Sequence, residues 1–209
     1  MTFKADPGKI IILNGAPRSG KSSIAATIQH TFTDVWMNIG VDRYMQMTPE
    51  HFQPGIGLRP GGERPDLEPL IVKMYSAMYE SIAAHSRSGI NVIVDVGHHD
   101  SYSAPLGILP HCAQILKGMP VLFVGVRCSI GAIMERRMST WGDGYEEAGA
   151  VPAPVKLWQE CVHVPGIYDM EVDTSKHSPE LCADLIRQRL ENGQPPTAFS
   201  RIADMGSVR

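Results

Sequence analysis

Apolar residues along this chain gather in short unbroken runs that alternate with segments of helical period. Lys9 to Asn14 (KIIILN) is a β-branched apolar run between Gly8 and Gly15. A run of that length without polar alternation suits a central parallel strand covered on both faces. From Ser22 the period changes: Ile24, Ile28 and Phe32 fall at helical spacing, so a helix follows the strand with only a Gly-rich loop between. Val35 to Val41 predicts a second strand that delivers Asp42 at its carboxyl end. Leu70, Met74, Ala77, Met78 and Ile82 predict a long helix over 67–87, stopped near Gly89. Asn91 to Val96 (NVIVDV) and Val121 to Val126 (VLFVGV) read as further buried strands, the latter followed by a helix carrying Ile130, Ile133, Met134 and Arg137. Tyr168 to Val172 predicts a fifth strand and Pro179 to Leu190 a closing helix.

Five strands alternating with helices predict an α/β fold, a three-layer α/β/α sandwich around a mainly parallel sheet with right-handed crossovers. The length, 209 residues, fits one such domain, expected over 1–192. Trp141-Gly142-Asp143-Gly144 and the Gly/Pro-rich stretch to Pro154 predict a lid over about 136–160. Met47 to Pro65, rich in Gly, Pro and charge, predicts a surface excursion able to cover a substrate. Residues 193–209 show no period and predict a loosely ordered tail.

Composition narrows the function. A formal net charge of −3 supplies no basic field, which argues against nucleic acid and for a small-molecule partner. No apolar run approaches the roughly 18 residues of a membrane span, and the first residues lack a signal peptide's apolar centre, so a cytoplasmic protein without a membrane partner is expected. Cys112, Cys128, Cys161 and Cys182 are widely spaced without a CxxC pair, and are expected to be reduced, mostly buried thiols.

The chemistry starts at Gly15-Ala16-Pro17-Arg18-Ser19-Gly20-Lys21-Ser22, the spacing G-x-x-x-x-G-K-S. Glycines let the backbone curl, successive N–H groups turn inward, and a helix N-terminus stands behind them; a polyphosphate satisfies all three. The segment follows a predicted strand and opens a predicted helix, as the motif requires. Gly15 to Ser23 are thus the candidate nucleotide-binding residues. Lys21 would reach the β- and γ-phosphates and Ser22 would place its hydroxyl on Mg²⁺. No NKxD-like guanine-reading sequence occurs, so ATP is expected over GTP.

Ligands of open parallel sheets sit beyond the strand carboxyl ends. Asp95, in an otherwise apolar strand, needs a cation or strong donors; it reads as a partner of Mg²⁺ or of a structural Lys or Arg. Asp42 reads either as a general base that takes a proton from a substrate hydroxyl or as a helix-capping residue. Arg127, Arg136 and Arg137 surround the fourth strand and its helix, where guanidinium groups could grip phosphate oxygens; Arg136 and Arg137 point about 100° apart, so one of them should face the nucleotide. His98 and His99 make a weak metal case without a third ligand and read better as pocket lining.

With these residues in place, the chain resembles the chloramphenicol phosphotransferase family of small-molecule kinases. The matching segments are IIILNGAPRSGKSSI, NIGVDRYM, INVIVDVG, VLFVGVRCSIGAIMERR and GIYDMEVDTSKHSPELCA. The resemblance implies ATP-dependent phosphorylation of a small molecule's hydroxyl, with Asp42 as base. It implies Arg127 and Arg136 or Arg137 as phosphate contacts, and Asp173, Thr174 and Ser175 along the adenine edge. The stretch Gln53 to Pro65 and the turn His98-His99-Asp100 differ from the antibiotic enzyme, so the implied activity is small-molecule O-phosphotransfer without a named acceptor. Two readings stand beside it: a nucleotide-binding regulatory protein without phosphotransfer, and a polynucleotide-end kinase.

Overall fold

The computed structural model describes residues 6–142, 146 and 149–206. Its sheet contains β1 (Ile10–Asn14), β2 (Trp36–Asn38), β3 (Asn91–Val96), β4 (Val121–Arg127) and β5 (Met170–Asp173), in the order β2-β3-β1-β4-β5. All four pairings are parallel. The helices are α1 (Lys21–Thr31), α2 (Val41–Met47), α3 (Glu68–Arg87), α4 (Ile108–Ile115), α5 (Ile130–Trp141), α6 (Ala153–Cys161), α7 (Pro179–Asn192) and α8 (Ala198–Gly206).

Strand β1 is central because its side chains are apolar on both faces. Ile10 and Ile12 join a core with α3, α4 and α8, whereas Ile11 and Leu13 join the opposite core with α1 and α7. Alternation therefore sends successive isoleucines into different layers, giving the expected three-layer sandwich. Cys112, Cys128, Cys161 and Cys182 are all free thiols, and all but Cys161 are buried. No helix among the described residues is long and apolar enough to cross a membrane.

Helices α4 and α6 add to the sequence-based expectation, and three further segments depart from it. Strand β2 stops at Asn38, and the chain passes Asp95 so closely at Gly40 that a Cβ there would lie 1.6 Å from Asp95 Oδ1. Asp42 consequently sits in the first turn of α2, not at a strand end. The expected excursion at 47–65 is tied down in part: Ile56 and Leu58 are buried in the α3 core, and Gly55–Gly57 forms a short 3-10 turn against α2 and α3.

The third departure is the tail. Ala198–Gly206 is a helix whose Ala198, Phe199, Ile202 and Ala203 are buried. Asp169 Oδ1 accepts from Thr197 N (2.7 Å) and Ala198 N (3.0 Å), which secures the helix start. A two-turn helix behind Gln194-Pro195-Pro196 is marginal on its own, and packing of this face on α4 and β4 stabilises it. Phe199 stacks on Tyr79 (centroids 6.3 Å) and meets Phe123 edge-on (4.9 Å). Phe199→Ala should therefore cost about 3–5 kcal/mol, read as a lower denaturant midpoint with unchanged m.

Candidate active site

Helix α1 starts at Lys21, and its N-cap, Gly20, leaves the first-turn amides without a side-chain cap. Those N–H groups lie at one side of a cavity of about 650 Å³ beyond the carboxyl ends of β1 and β3. The loop curls tightly before it. A Cβ at Gly15 would lie 2.5 Å from the Val126 carbonyl oxygen, and Gly20 adopts φ 90°. Arg18 has φ 64°, a left-handed conformation that costs a non-glycine residue energy unless its surroundings hold it.

Those surroundings are Arg136 and Thr174. Arg136 Nη1 donates to the Arg18 carbonyl (3.0 Å) and to Thr174 Oγ1 (3.1 Å), and Nη2 donates to the Thr174 carbonyl (2.7 Å). Thr174 Oγ1 in turn donates to the Ser19 carbonyl at 2.6 Å. Two consecutive loop carbonyls are thus anchored from behind by residues of α5 and of the turn after β5.

Within the cavity, Ser22 Oγ donates to Asp95 Oδ2 at 2.8 Å, and Asp95 is otherwise buried. A hydroxyl supplies part of the strong donation that this carboxylate needs. Lys21 Nζ donates to the carbonyls of Gly15 (2.8 Å) and Ala16 (2.9 Å). Burial pushes its ammonium below the ordinary lysine value, while the charges of Asp95 and then Asp42 push the other way. Asp42 is exposed and lines the same cavity. Four residues read from three separate segments, Lys21 and Ser22 of the loop, Asp42 and Asp95, therefore line one cavity.

Other expected site residues lie elsewhere. Arg136 lines the cavity and Arg137 does not. Arg127 does not line it either: strand alternation puts its side chain on the face of Gly125, where it pairs with Glu171 (Nε 2.8 Å, Nη2 2.6 Å) and lies 6.0 Å from the Tyr168 ring centroid. Arg127, expected as a phosphate clamp, is thus engaged by Glu171 in this structure. Asp173 also lies outside the cavity. Its carboxyl accepts from the Ser175 hydroxyl and backbone and pairs with Lys176 (3.1 Å), and the Ser175 bond foremost holds it below the usual carboxylate range. The joint residues Asp143 and Gly144 fall outside the described residues.

Sequence reasoning missed the apolar wall of the cavity, to which Val41, Met45, Ile56, Gly57, Gly97 and Trp158 contribute. The α6 spacing Val155, Trp158, Val162 was the available signal, since Val155 and Val162 join Ala16 of the loop in a small core against which Trp158 packs.

His98 and His99 are buried beside this wall without lining the cavity, which corrects the pocket-lining expectation. Among the described residues no three His, Cys, Asp or Glu side chains are grouped to hold a metal. His99 Nδ1 accepts from Ser101 N (3.2 Å), so its proton sits on Nε2 and donates to the Leu58 carbonyl at 3.0 Å. His98 Nε2 meets the Tyr79 hydroxyl at 2.7 Å, and burial, aided by His99, lowers its pKa to about 3. The unfolded chain takes up this proton near pH 6.5 and the folded one only near pH 3. Stability from His98 is therefore complete above pH 6.5 and falls as pH drops through that window, by at most about 1.4 kcal/mol per pH unit. His98→Gln should remove one proton's share of that slope in denaturation curves recorded from pH 7 to 4.

Comparison with known proteins agrees with this geometry. A protein of Mycobacterium tuberculosis, "Putative O-phosphotransferase Rv2636", is 26% identical over 93% of this chain and 88% of its own length. The APS kinase CysC of Mycobacterium tuberculosis, solved with AMPPNP and APS, superposes with a TM-score of 0.59 at 16% identity, covering 89% of this chain and 99% of that one. A gluconokinase from Sinorhizobium meliloti gives a TM-score of 0.55 at 18% identity, covering 97% of each chain. At these identities the two structures establish the fold. The family described as chloramphenicol phosphotransferase-like protein matches residues 8–191. With that match spanning nearly all of the sheet and its helices, the chain belongs to the chloramphenicol phosphotransferase-like family of phosphate-loop small-molecule kinases.

Proposed function

We propose that the chain transfers the γ-phosphoryl group of ATP to a hydroxyl of a small molecule, with Asp42 as general base. The observation that carries this reading is the convergence of Lys21, the Ser22–Asp95 pair and exposed Asp42 on one cavity.

The loop from Gly15 to Ser23 would take the triphosphate. Its tight backbone, its uncapped helix N-terminus and the buried Ser19 hydroxyl, which has no hydrogen-bond partner among the described residues, suit a polyanion. Lys21 would turn from its loop carbonyls to the β- and γ-phosphates as a point charge. Ser22 and Asp95 present the hydroxyl and carboxylate oxygens that Mg²⁺ prefers. When bound, Mg²⁺ supplies charge neutralisation across the β- and γ-phosphate oxygens.

Asp42 then orients the acceptor hydroxyl and takes its proton as the new O–P bond forms. The bond from the γ-phosphorus to the bridging oxygen breaks, and ADP leaves. Arg136 and Thr174 act indirectly, by keeping the carbonyls of Arg18 and Ser19 turned outward. Purified protein incubated with ATP, Mg²⁺ and a panel of alcohols should release ADP in step with a phosphate monoester of one acceptor. ATP binding without any phosphorylated product across such a panel would overturn the reading.

A further inference from the structure

Gly40 links the segments that carry the site's two carboxylates. The chain leaving β2 is still paired to β3, with Ile39 N donating to the Ile93 carbonyl at 3.0 Å. One residue later the Gly40 carbonyl accepts from Arg43 N (3.1 Å) and Tyr44 N (3.2 Å) and so opens α2, which carries Asp42 in its first turn. Gly40 itself is buried and does not line the cavity.

The backbone does not call for glycine at this point. Gly40 has φ −113° and ψ 174°, an extended conformation open to any residue. Space calls for it instead: a Cβ there would lie 1.6 Å from Asp95 Oδ1, 2.8 Å from its Cγ and 3.1 Å from its carbonyl oxygen. A small shift relieves the last of these, but a contact of 1.6 Å cannot be kept, so the conflict is with the carboxylate. Helix α2 is held by packing. Val41 and Tyr44 lie against the α3 core, and Met45 occupies the room over Gly57, where a Cβ would lie 2.2 Å from its Sδ. The Asp95 side chain is short and turns about single bonds, so it yields before the helix does. Its displacement carries Oδ2 away from the Ser22 hydroxyl, which stands at 2.8 Å.

We infer that Gly40 is a positioning residue for the divalent cation: the side chain it lacks leaves the space in which the Asp95 carboxylate stands beside Ser22. The inference rests on the kinase reading above, in which Ser22 and Asp95 hold Mg²⁺, and adds a residue that touches neither the cation nor the nucleotide. Mg²⁺ demands near-ideal ligand geometry. A side chain at position 40 therefore weakens the hold on the cation while leaving the phosphate loop and Lys21 in place.

The test needs no acceptor. Mn²⁺, which shares the oxygen preference of Mg²⁺, is titrated into the ATP-bound full chain, and the free ion is read by electron paramagnetic resonance. In Gly40→Ala the affinity for Mn²⁺ should fall about tenfold, while calorimetric ATP affinity without a divalent cation stays within about twofold. Asp95→Ala should lose at least as much. The double variant Gly40→Ala/Asp95→Ala should match Asp95→Ala within about twofold, because the atoms in conflict are gone. If Gly40→Ala does not fold, the double variant should restore folding. Unchanged Mn²⁺ affinity in Gly40→Ala, losses that multiply in the double variant, or a double variant that also fails to fold would each overturn the inference. Unchanged Mn²⁺ affinity in Asp95→Ala would remove Asp95 from the cation and this inference with it. Phosphoryl transfer is judged separately, by whether any alcohol is phosphorylated.

Discussion

Asp42→Asn should lower kcat by about 10²- to 10⁴-fold, the range that a positioned general base contributes, with the KM for ATP nearly unchanged. The amide keeps the size of the carboxylate and its place in the first turn of α2, but it cannot take the proton that the acceptor hydroxyl must lose. Steady-state rates with saturating ATP and a confirmed acceptor provide the measurement. Full turnover in the variant would remove Asp42 from the mechanism and return it to the role of a helix-start residue. The variant's thermal midpoint should move little, because Asp42 is exposed and makes no ion pair among the described residues.

Lys21→Met should lower kcat/KM for ATP by at least about 10²- to 10³-fold, the loss typical of removing one preorganised group aimed at developing charge. Methionine nearly preserves the stem, so the effect isolates the ammonium. The charge has two roles here. It would draw the phosphates into the loop, and it lies within electrostatic reach of both Asp95 and Asp42. Its removal leaves two carboxylates near each other with their cation gone, which opposes the approach of a polyanion. Isothermal titration with ATP separates the effects: weakened binding reports the phosphate contact, and retained binding with lost turnover would assign Lys21 to the transition state alone.

The sheet was readable because KIIILN, NVIVDV and VLFVGV are continuous apolar runs, and only a strand buried on both faces calls for such runs. The phosphate loop was readable because its glycines, lysine and serine are needed in one unbroken segment. Helices α4 and α6 were obscured by shortness and by prolines at or near their starts, whereas α8 shows its period in Ala198, Phe199, Ile202 and Ala203 and was masked by the Pro195-Pro196 break before it. Arg127 illustrates a different limit. Its place at a strand end was legible, yet alternation along β4 decides which face its side chain takes, and Glu171 waits on that face. Trp158 was legible only through the spacing Val155, Trp158, Val162, while the room for its ring comes from Gly97, more than fifty residues away.

The anchoring of Arg18 and Ser19 bears on attempts to move this loop elsewhere. Their carbonyls are held by Arg136 and Thr174, side chains 118 and 155 positions downstream of the residues they hold. A graft of GAPRSGKS onto another strand-helix junction would carry the glycines and the lysine but leave two carbonyls untethered and Arg18 free to relax from its left-handed conformation. A transplanted loop would need an arginine and a threonine at equivalent points in space, so the smallest portable unit is a loop with its two distant struts.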